Sequence, residues 1–171
     1  LDEARVPSVN GDLHGVKPAT LETGGLPVVT VLSRLDMSQI LDKESYDTEL
    51  KRYQAKLNQL QRTAREKKTS TILVFEGWDA AGKGGSIRRF TAALDARDYQ
   101  VIQIAAPTDE EAAHNYLWRF WRHLPRAGRV TIYDRSWYGR VLVERIEGFA
   151  RTREWQRAYA EINDFEAQLV E

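Results

Sequence analysis

Residues 71–85 read Thr71-Ile72-Leu73-Val74-Phe75-Glu76-Gly77-Trp78-Asp79-Ala80-Ala81-Gly82-Lys83-Gly84-Gly85. The apolar run at 71–75 is partly β-branched and predicts a strand buried on both faces. A helical pattern follows the loop, with apolar residues at Ile87, Phe90 and Leu94. A strand, a glycine-bounded loop, a lysine and a helix in this order are typical of a phosphate-binding loop, the Walker A motif.

The loop has the chemistry that an anion requires. Glycines allow several backbone N–H groups to converge on one phosphate, the start of the helix adds unpaired donors, and Lys83 adds a full positive charge. The residues predicted to bind phosphate are Gly77, Ala80, Ala81, Gly82, Lys83, Gly84 and Gly85. The alternative is a tight strand-to-helix turn with a solvated lysine. A dinucleotide-binding loop is excluded, because Ile87 stands where that motif needs its third glycine.

The position after the lysine departs from the usual motif. A Ser or Thr there normally binds Mg²⁺ through its hydroxyl, whereas this chain has Gly84. Ser86 is a poor substitute, because two helical positions turn a side chain by about 200°. Asp79, inside the loop, is the nearest hard oxygen ligand. A carboxylate is disfavoured in an anion-binding loop unless a metal ion or an arginine offsets its charge. We therefore predict Asp79 to be a metal-binding or catalytic residue; the alternative is a turn-forming Asp.

Composition sets the broad class of protein. The 171 residues suffice for one domain with its own core, and 42% of them are hydrophobic and 29% charged. Because the formal net charge is zero, any basic site must come from local clustering. The absence of cysteine excludes disulfides and thiolate metal sites. No apolar run approaches the ~20 residues of a membrane span, and no signal-peptide pattern is present, so we expect a cytoplasmic protein.

The first part of the chain differs from the rest. Residues 1–26 carry prolines, glycines and an Asn-Gly pair without a sustained apolar period, which predicts a linker or extended arm; a terminal tail fits equally well. The folded domain is expected to span residues 27–171. The chain begins at Leu1 rather than Met and ends at Glu171 inside a predicted helix, so we expect it to be a piece of a longer protein.

The remaining periodicity predicts strands at 99–105 and 129–134, and helices at 45–67, 137–147, 152–171 and from Thr108 or Asp109 to Leu124. Strands that alternate with helices at this spacing predict an α/β fold, with right-handed crossovers and a parallel sheet covered by helices on both faces. Three strands make a narrow sheet of this kind. We therefore expect further strands after Glu171, so that this fold is truncated at its C-terminus.

The third predicted strand ends in a second acidic candidate. Asp134 lies at the carboxyl end of that strand, where ligands bind in parallel α/β sheets. An apolar strand ending in Asp, some 50 residues after the loop lysine, is typical of the Walker B carboxylate that holds Mg²⁺. We predict that Asp79 and Asp134 bind the metal. The alternative for Asp134 is a cap of the following helix, and the two roles can coexist.

Arginines cluster around Asp134. Between residues 119 and 145 there are seven arginines and two acidic residues; the arginines are at 119, 122, 126, 129, 135, 140 and 145. The guanidinium group binds phosphate oxygens bidentately, so we predict that Arg135 and Arg140 contact phosphate. For Arg119, Arg126 and Arg129 a solvated surface charge is the preferred interpretation.

Two of these motifs together resemble those of the polyphosphate kinase 2 family. They are Gly77–Gly85 and the segment Asp134-Arg135-Ser136-Trp137-Tyr138-Gly139-Arg140. Three further segments are also similar: Ala106–Thr108, Tyr116–Trp121 and Glu161–Glu166. The resemblance extends from about Met37 to the end of the chain. Within the family the chain is most similar to the active, second domain of the tandem polyphosphate:AMP phosphotransferases, which would make residues 1–26 an inter-domain linker.

The resemblance implies a P-loop kinase-like three-layer α/β/α fold and a phosphotransferase activity. The reaction would transfer a terminal phosphoryl group from inorganic polyphosphate to a nucleotide, with AMP as our first choice and Mg²⁺ as cofactor. The residues Asp79, Lys83, Asp134, Arg135 and Arg140 would be catalytic. Family members continue into a lid bearing arginine and lysine, and without it we expect the chain to bind phosphate but turn over poorly.

Two other functions stay open at this point. One is an ATP-dependent nucleoside-monophosphate kinase, which the double glycine after Lys83 and the arginines beside Asp134 disfavour. The other is a non-catalytic phosphate-binding or assembly domain, which the intact Asp79, Lys83 and Asp134 disfavour. We expect no nucleic-acid or membrane partner, and the helix at 45–67 would suit a homo-oligomer interface or a contact with a tandem domain.

Overall fold

The computed structural model describes residues 34–36 and 38–170, so the predicted linker at 1–26 and the following residues to 33 lie outside the described part. The elements are α1 (Lys43–Glu66), β1 (Thr71–Phe75), α2 (Lys83–Thr91), β2 (Tyr99–Gln103), α3 (Asp109–Ala112), α4 (Trp118–Trp121), β3 (Val130–Asp134), a 3₁₀ turn (Trp137–Arg140), α5 (Val143–Ile146) and α6 (Thr152–Val170). All of them belong to one unit, Asp42–Glu171. Among these helices, none has both the length and the apolar character to cross a membrane.

The three described strands form a parallel sheet in the order β1-β3-β2. Phe75 and Gln103 both stand opposite Asp134, so the three strands end at the same level. The predicted α/β fold with a parallel sheet is therefore confirmed. The burial predicted for the first strand was wrong, because β1 is an edge strand and all its residues are half-exposed. The central strand β3 is the buried one.

Helices pack on both faces of the sheet, which confirms the predicted three layers. On one face Val130 and Ile132 of β3 pack with Ile87 of α2. On the other face Tyr133 packs with a larger group from α4, the 3₁₀ turn and α6, namely Phe120, Trp137, Ala158, Ile162 and Phe165. Alternation along β3 sends successive side chains to opposite faces. Each such buried large apolar side chain contributes about 1.5–3 kcal/mol relative to exposure.

Helix α1 forms as predicted, and part of its contact with the rest of the domain is polar. Asp42 caps it, accepting a hydrogen bond of 2.9 Å from the Ser45 amide. Its amide side chains satisfy the end of α2 and the turn after it: Gln54 donates to Arg89 O (2.8 Å), Asn58 donates to Ala93 O (3.0 Å), and Gln61 accepts from Asp95 N (2.8 Å). Of the apolar residues at helical spacing in α1, Leu50, Leu57 and Ala64 are half-buried, whereas Tyr46, Tyr53 and Leu60 are exposed.

Two helices predicted as continuous are interrupted. The one expected from Thr108 or Asp109 to Leu124 is split into α3 and α4, because the Asn115 side chain accepts a hydrogen bond from Leu117 N (2.9 Å) and replaces the helical pattern there. Thr108 caps α3 in a capping box with Glu111. The helix expected at 137–147 is instead the 3₁₀ turn followed by α5. At the first of these two places a local side-chain hydrogen bond thus overrides the apolar period.

Candidate anion-binding site

The loop between β1 and α2 has the strained backbone that glycine permits. Gly82, the N-cap of α2, has a φ of +88°, and Ala80 has a φ of +62° although it carries a side chain. Within the described residues no side chain caps α2, so its first amides are not occupied by a capping group. A helix start of this kind is suited to receive an anion.

A cavity of about 520 Å³ lies at the carboxyl ends of the strands. Its lining is Asp79, Ala80, Ala81, Gly82, Lys83, Gly84, Gln103, Ile104, Ala105, Asp134 and Arg135. The register that aligns Phe75 and Gln103 with Asp134 brings these three loops together at one edge. Most of the predicted site residues therefore meet in one cavity. Gly77 in the loop and Gly85 in the first turn of α2 do not line it.

Lys83 lies across the loop. Its ammonium group donates to the carbonyl oxygens of Gly77 (2.7 Å) and Trp78 (2.9 Å). An ammonium group has three donors, so one remains for a ligand after these two bonds. The lysine therefore fixes the loop and presents positive charge to the cavity at the same time.

Asp79 and Arg135 form an ion pair across the cavity, with 2.8 Å between the guanidinium nitrogen and the carboxylate oxygen. Arg135 supplies the positive charge that a carboxylate in this loop was predicted to need. The two side chains are 92% and 50% exposed, and an exposed pair of this kind contributes only about 0–1 kcal/mol. A phosphate or a metal ion can therefore replace either partner at little cost.

Asp134 and Asp79, the two residues predicted to bind the metal, both line the cavity, and metal binding itself stays a prediction. Among the described residues, no group of three or more His, Cys, Asp or Glu side chains is arranged to hold a metal ion. Mg²⁺ in phosphate-transfer sites usually takes only one or two carboxylates and completes its shell with water and substrate phosphates. The donor set of this cavity fits a magnesium ion that arrives with phosphate, rather than a site formed by protein alone.

Of the five residues predicted to be catalytic, Arg140 is the one that does not line the cavity. Its guanidinium packs 4.4 Å above the Tyr116 ring, its Nε lies 3.1 Å from Glu144, and its side chain is only 17% exposed. The 3₁₀ turn packs against α6 and takes Arg140 with it. Burial, as the leading cause, raises the pKa of Tyr116 in this cluster well above its ordinary value. Phosphate binding by Arg140 stays a prediction without a contact to support it.

Arg119 was predicted to be solvated and is not. It is 13% exposed, donates to the Ala105 carbonyl (3.0 Å) and pairs with Glu111 at 3.2 Å. Because Ala105 lines the cavity, the hydrogen bond from Arg119 holds part of the cavity wall in place. Arg129, by contrast, is half-exposed, with 3.0 Å to the buried carboxylate of Asp98.

Two acidic residues that the sequence reasoning missed hold the segment after β3. Glu76 accepts hydrogen bonds from the backbone N–H and the hydroxyl of Ser136, both at 2.7 Å. Glu166 of α6 accepts from the Trp137 indole (2.9 Å) and from the Tyr138 hydroxyl. Its hydrogen bond is the main reason that the pKa of Tyr138 is raised. The signal that the sequence offered for Glu76 was a glutamate directly after an apolar strand.

Comparison with known proteins identifies a family and several relatives to which this chain is similar. The family model described as "Polyphosphate kinase 2 (PPK2)" matches residues 40–171. A Pseudomonas aeruginosa protein named "Polyphosphate:AMP phosphotransferase" is 60% identical over 141 residues, which are 82% of this chain and 28% of that protein. A relative of the same name from Acinetobacter johnsonii is 46% identical over 153 residues, 90% of this chain and 31% of that protein. The chain thus spans less than a third of the length of these curated relatives.

Solved structures agree with the fold. The crystal structure of polyphosphate kinase 2 from Arthrobacter aurescens TC1 matches with a TM-score of 0.75 at 33% identity, covering 85% of this chain and 54% of that one. At this TM-score over 85% of the chain, the overall fold is shared with that protein.

Proposed function

The chain belongs to the polyphosphate kinase 2 family, a family of transferases with a P-loop kinase-like fold, and from this premise we propose that it transfers a terminal phosphoryl group from inorganic polyphosphate to a nucleotide. AMP is the acceptor we propose, because that nucleotide is in the name of the relatives at 60% and 46% identity. The observation that carries the proposal is the single cavity in which Lys83, Asp134 and Arg135 meet the glycine loop.

The binding roles follow from the contacts. The amides at the start of α2 and the remaining donor of Lys83 hold phosphate oxygens. Arg135 exchanges its partner Asp79 for the phosphate chain, which its half-exposed guanidinium can do at little cost. Asp79, once released, and Asp134 are the carboxylates that would hold Mg²⁺, which would neutralise charge on the phosphates.

In the reaction, an oxygen of the nucleotide phosphate forms a bond to the terminal phosphorus of polyphosphate. The bridging P–O bond breaks, and its electron pair stays on the shortened chain. Charge builds up on the oxygens of the transferred group, and Lys83 and Arg135 are the two cations that line the cavity to meet it. An arginine in this role can change the rate by roughly 10³–10⁵-fold.

The test compares phosphate donors. The protein is incubated with AMP, Mg²⁺ and either polyphosphate or ATP, and ADP is followed by chromatography. We expect ADP to form at the expense of polyphosphate, and Asp134→Asn to abolish its formation while leaving the far-ultraviolet circular dichroism spectrum unchanged. Faster transfer from ATP would identify a nucleoside-monophosphate kinase instead. If the protein binds phosphate but transfers it from neither donor, it is a phosphate-binding domain without phosphotransferase activity.

Three further predictions accompany this function. We propose residues 27–171 as the catalytic domain and 1–26 as a linker. We also propose a cytoplasmic location, where a nucleotide acceptor is available, and a homo-oligomer or a tandem-domain contact through α1. The exposed Tyr46, Tyr53 and Leu60 of α1 support such a contact, since they lie on one side of the helix.

A further inference from the structure

Glu76 occupies an unusual position, directly between β1 and the anion-binding loop. One oxygen of its half-buried carboxylate accepts two hydrogen bonds of 2.7 Å from Ser136, one from the backbone N–H and one from the hydroxyl. Ser136 is only 3% exposed, so this contact is screened from solvent. The Ser136 hydroxyl also accepts a bond of 3.2 Å from Tyr138 N. The glutamate thus links the exit of β1 to the exit of β3.

The residue beside this contact has a strained backbone. Arg135 has a φ of +68°, a left-handed conformation that a residue with a side chain rarely adopts. Such a conformation persists only where the surroundings hold it in place. Two contacts with the end of β1 flank it: Arg135 N donates to Phe75 O at 3.0 Å, and Ser136 donates to Glu76. The strain is therefore fixed from both sides by consecutive residues.

We propose that Glu76 is a positioning residue that holds Arg135 in this conformation and so keeps the guanidinium of Arg135 and the carboxylate of Asp134 at the cavity. Without the carboxylate, the chain at Arg135 can relax to an ordinary negative φ. The direction in which the side chains of residues 134 and 135 leave the backbone then changes. Glu76 contacts no part of the cavity itself, so it acts through Arg135 and Asp134.

The effect on phosphoryl transfer rests on the proposed function, but the effect on Arg135 does not. The variants are Glu76→Ala, which removes the acceptor, and Glu76→Gln, which keeps a carbonyl oxygen able to accept both Ser136 bonds. Glu49→Ala is the matched control, because Glu49 is an exposed glutamate of α1 that pairs with Arg52. The first readout is the one-bond coupling between Cα and Hα of Arg135, which differs between a positive and a negative φ.

The second readout is the affinity for tripolyphosphate, measured by calorimetry below the unfolding transition. For Glu76→Ala we expect a changed Arg135 coupling and an affinity about 10- to 100-fold weaker, by analogy with the loss on removing a residue that orients a metal ligand. Glu76→Gln should recover most of the affinity, and Glu49→Ala should match the parent. In the transfer assay kcat should fall more than KM for AMP rises, since misplacement of charged groups mainly affects the transition state.

The outcomes separate the two proposals. An unchanged Arg135 coupling in Glu76→Ala would overturn the positioning role. The role would also be overturned if the unfolded fraction of Glu76→Ala accounted for its whole loss of tripolyphosphate affinity. If the parent protein fails to phosphorylate AMP, the proposed function fails. The coupling of Arg135 still decides the role of Glu76 in that case.

Discussion

Gly128 lies just before β3, and we expect any side chain at this position to lower the stability of the fold. Its φ is +76°, and a Cβ added there would lie 3.0 Å from both the Cα and the carbonyl oxygen of Arg65, at the end of α1. Those are backbone atoms, which cannot rotate away. Gly148 offers a matched control, because its φ is +73° but an added Cβ would meet nothing within 4 Å.

The difference between the two alanine variants measures this close approach. The left-handed conformation costs a residue with a Cβ about 1–2 kcal/mol, and this cost applies to both positions. The forced contact with Arg65 adds about 1–3 kcal/mol at Gly128 alone, as overpacking usually does. The effect of replacing glycine on the unfolded chain is common to both and cancels. Gly128→Ala should therefore be the less stable variant, by about 2 kcal/mol, or about 4–8 °C in Tm for a chain of this size.

The assay is thermal and urea unfolding of both variants, followed by circular dichroism. Tripolyphosphate affinity of the folded variants should equal that of the parent, because Gly128 precedes the amino end of β3 and the cavity lies at the carboxyl end. Equal Tm values for the two variants would refute the reasoning, since they would show that the end of α1 does not pack on Gly128.

Three further outcomes are expected. Lys83→Ala should raise the Kd of tripolyphosphate in calorimetry by about 10- to 150-fold, since a hydrogen bond to a charged group is worth about 1.5–3 kcal/mol. The control Lys51→Ala removes the same charge from α1 and should leave the Kd unchanged. Equal Kd values for the two variants would show that the anion binds elsewhere. Glu166→Ala should lower the free energy of unfolding in urea by about 2–4 kcal/mol, because the Trp137 indole and the Tyr138 hydroxyl lose their acceptor, and Glu166→Gln should lower it less. The raised pKa of Tyr138 means that the folded state keeps this proton when the unfolded chain releases it, so its contribution to stability is complete below about pH 10 and is lost as the pH rises further. Urea unfolding at several alkaline pH values should show this loss in the parent and a smaller one in Tyr138→Phe.

The strand, the loop and the helix around Lys83 were predictable because their signals are local. The apolar run at 71–75, the glycine spacing and the helical period after it each depend on residues a few positions apart. The parallel sheet followed from the alternation of strands and helices, and the position of Asp134 at a strand end followed from the sheet. These predictions agree with β1, α2 and β3 as observed.

The errors arose where a local pattern competed with something else. The apolar period from Leu117 to Leu124 suggested one long helix, but the Asn115 side chain provides an alternative hydrogen bond and ends the continuity. The apolar period of α1 gave no sign of polar contacts, yet Gln54 donates to α2 at Arg89 O and Asn58 donates to Ala93 O in the turn after α2. Unpaired carbonyl groups at the end of a helix accept hydrogen bonds from amide side chains, and hydrophobic periodicity does not indicate such hydrogen bonds.

The order of residues between Thr71 and Thr91 was enough to predict the strand, the glycine loop and the helix after it, because hydrogen bonds within a loop and a helix join near neighbours. The partners of the charged side chains could not be read in the same way. Asp79 and Arg135 are 56 positions apart, and the pairing of β1 with β3 is what brings them within 2.8 Å. Arg140 is equally basic in the sequence, yet the packing of its turn on α6 directs it to Tyr116 and Glu144, because burial and geometry rather than charge select the partner.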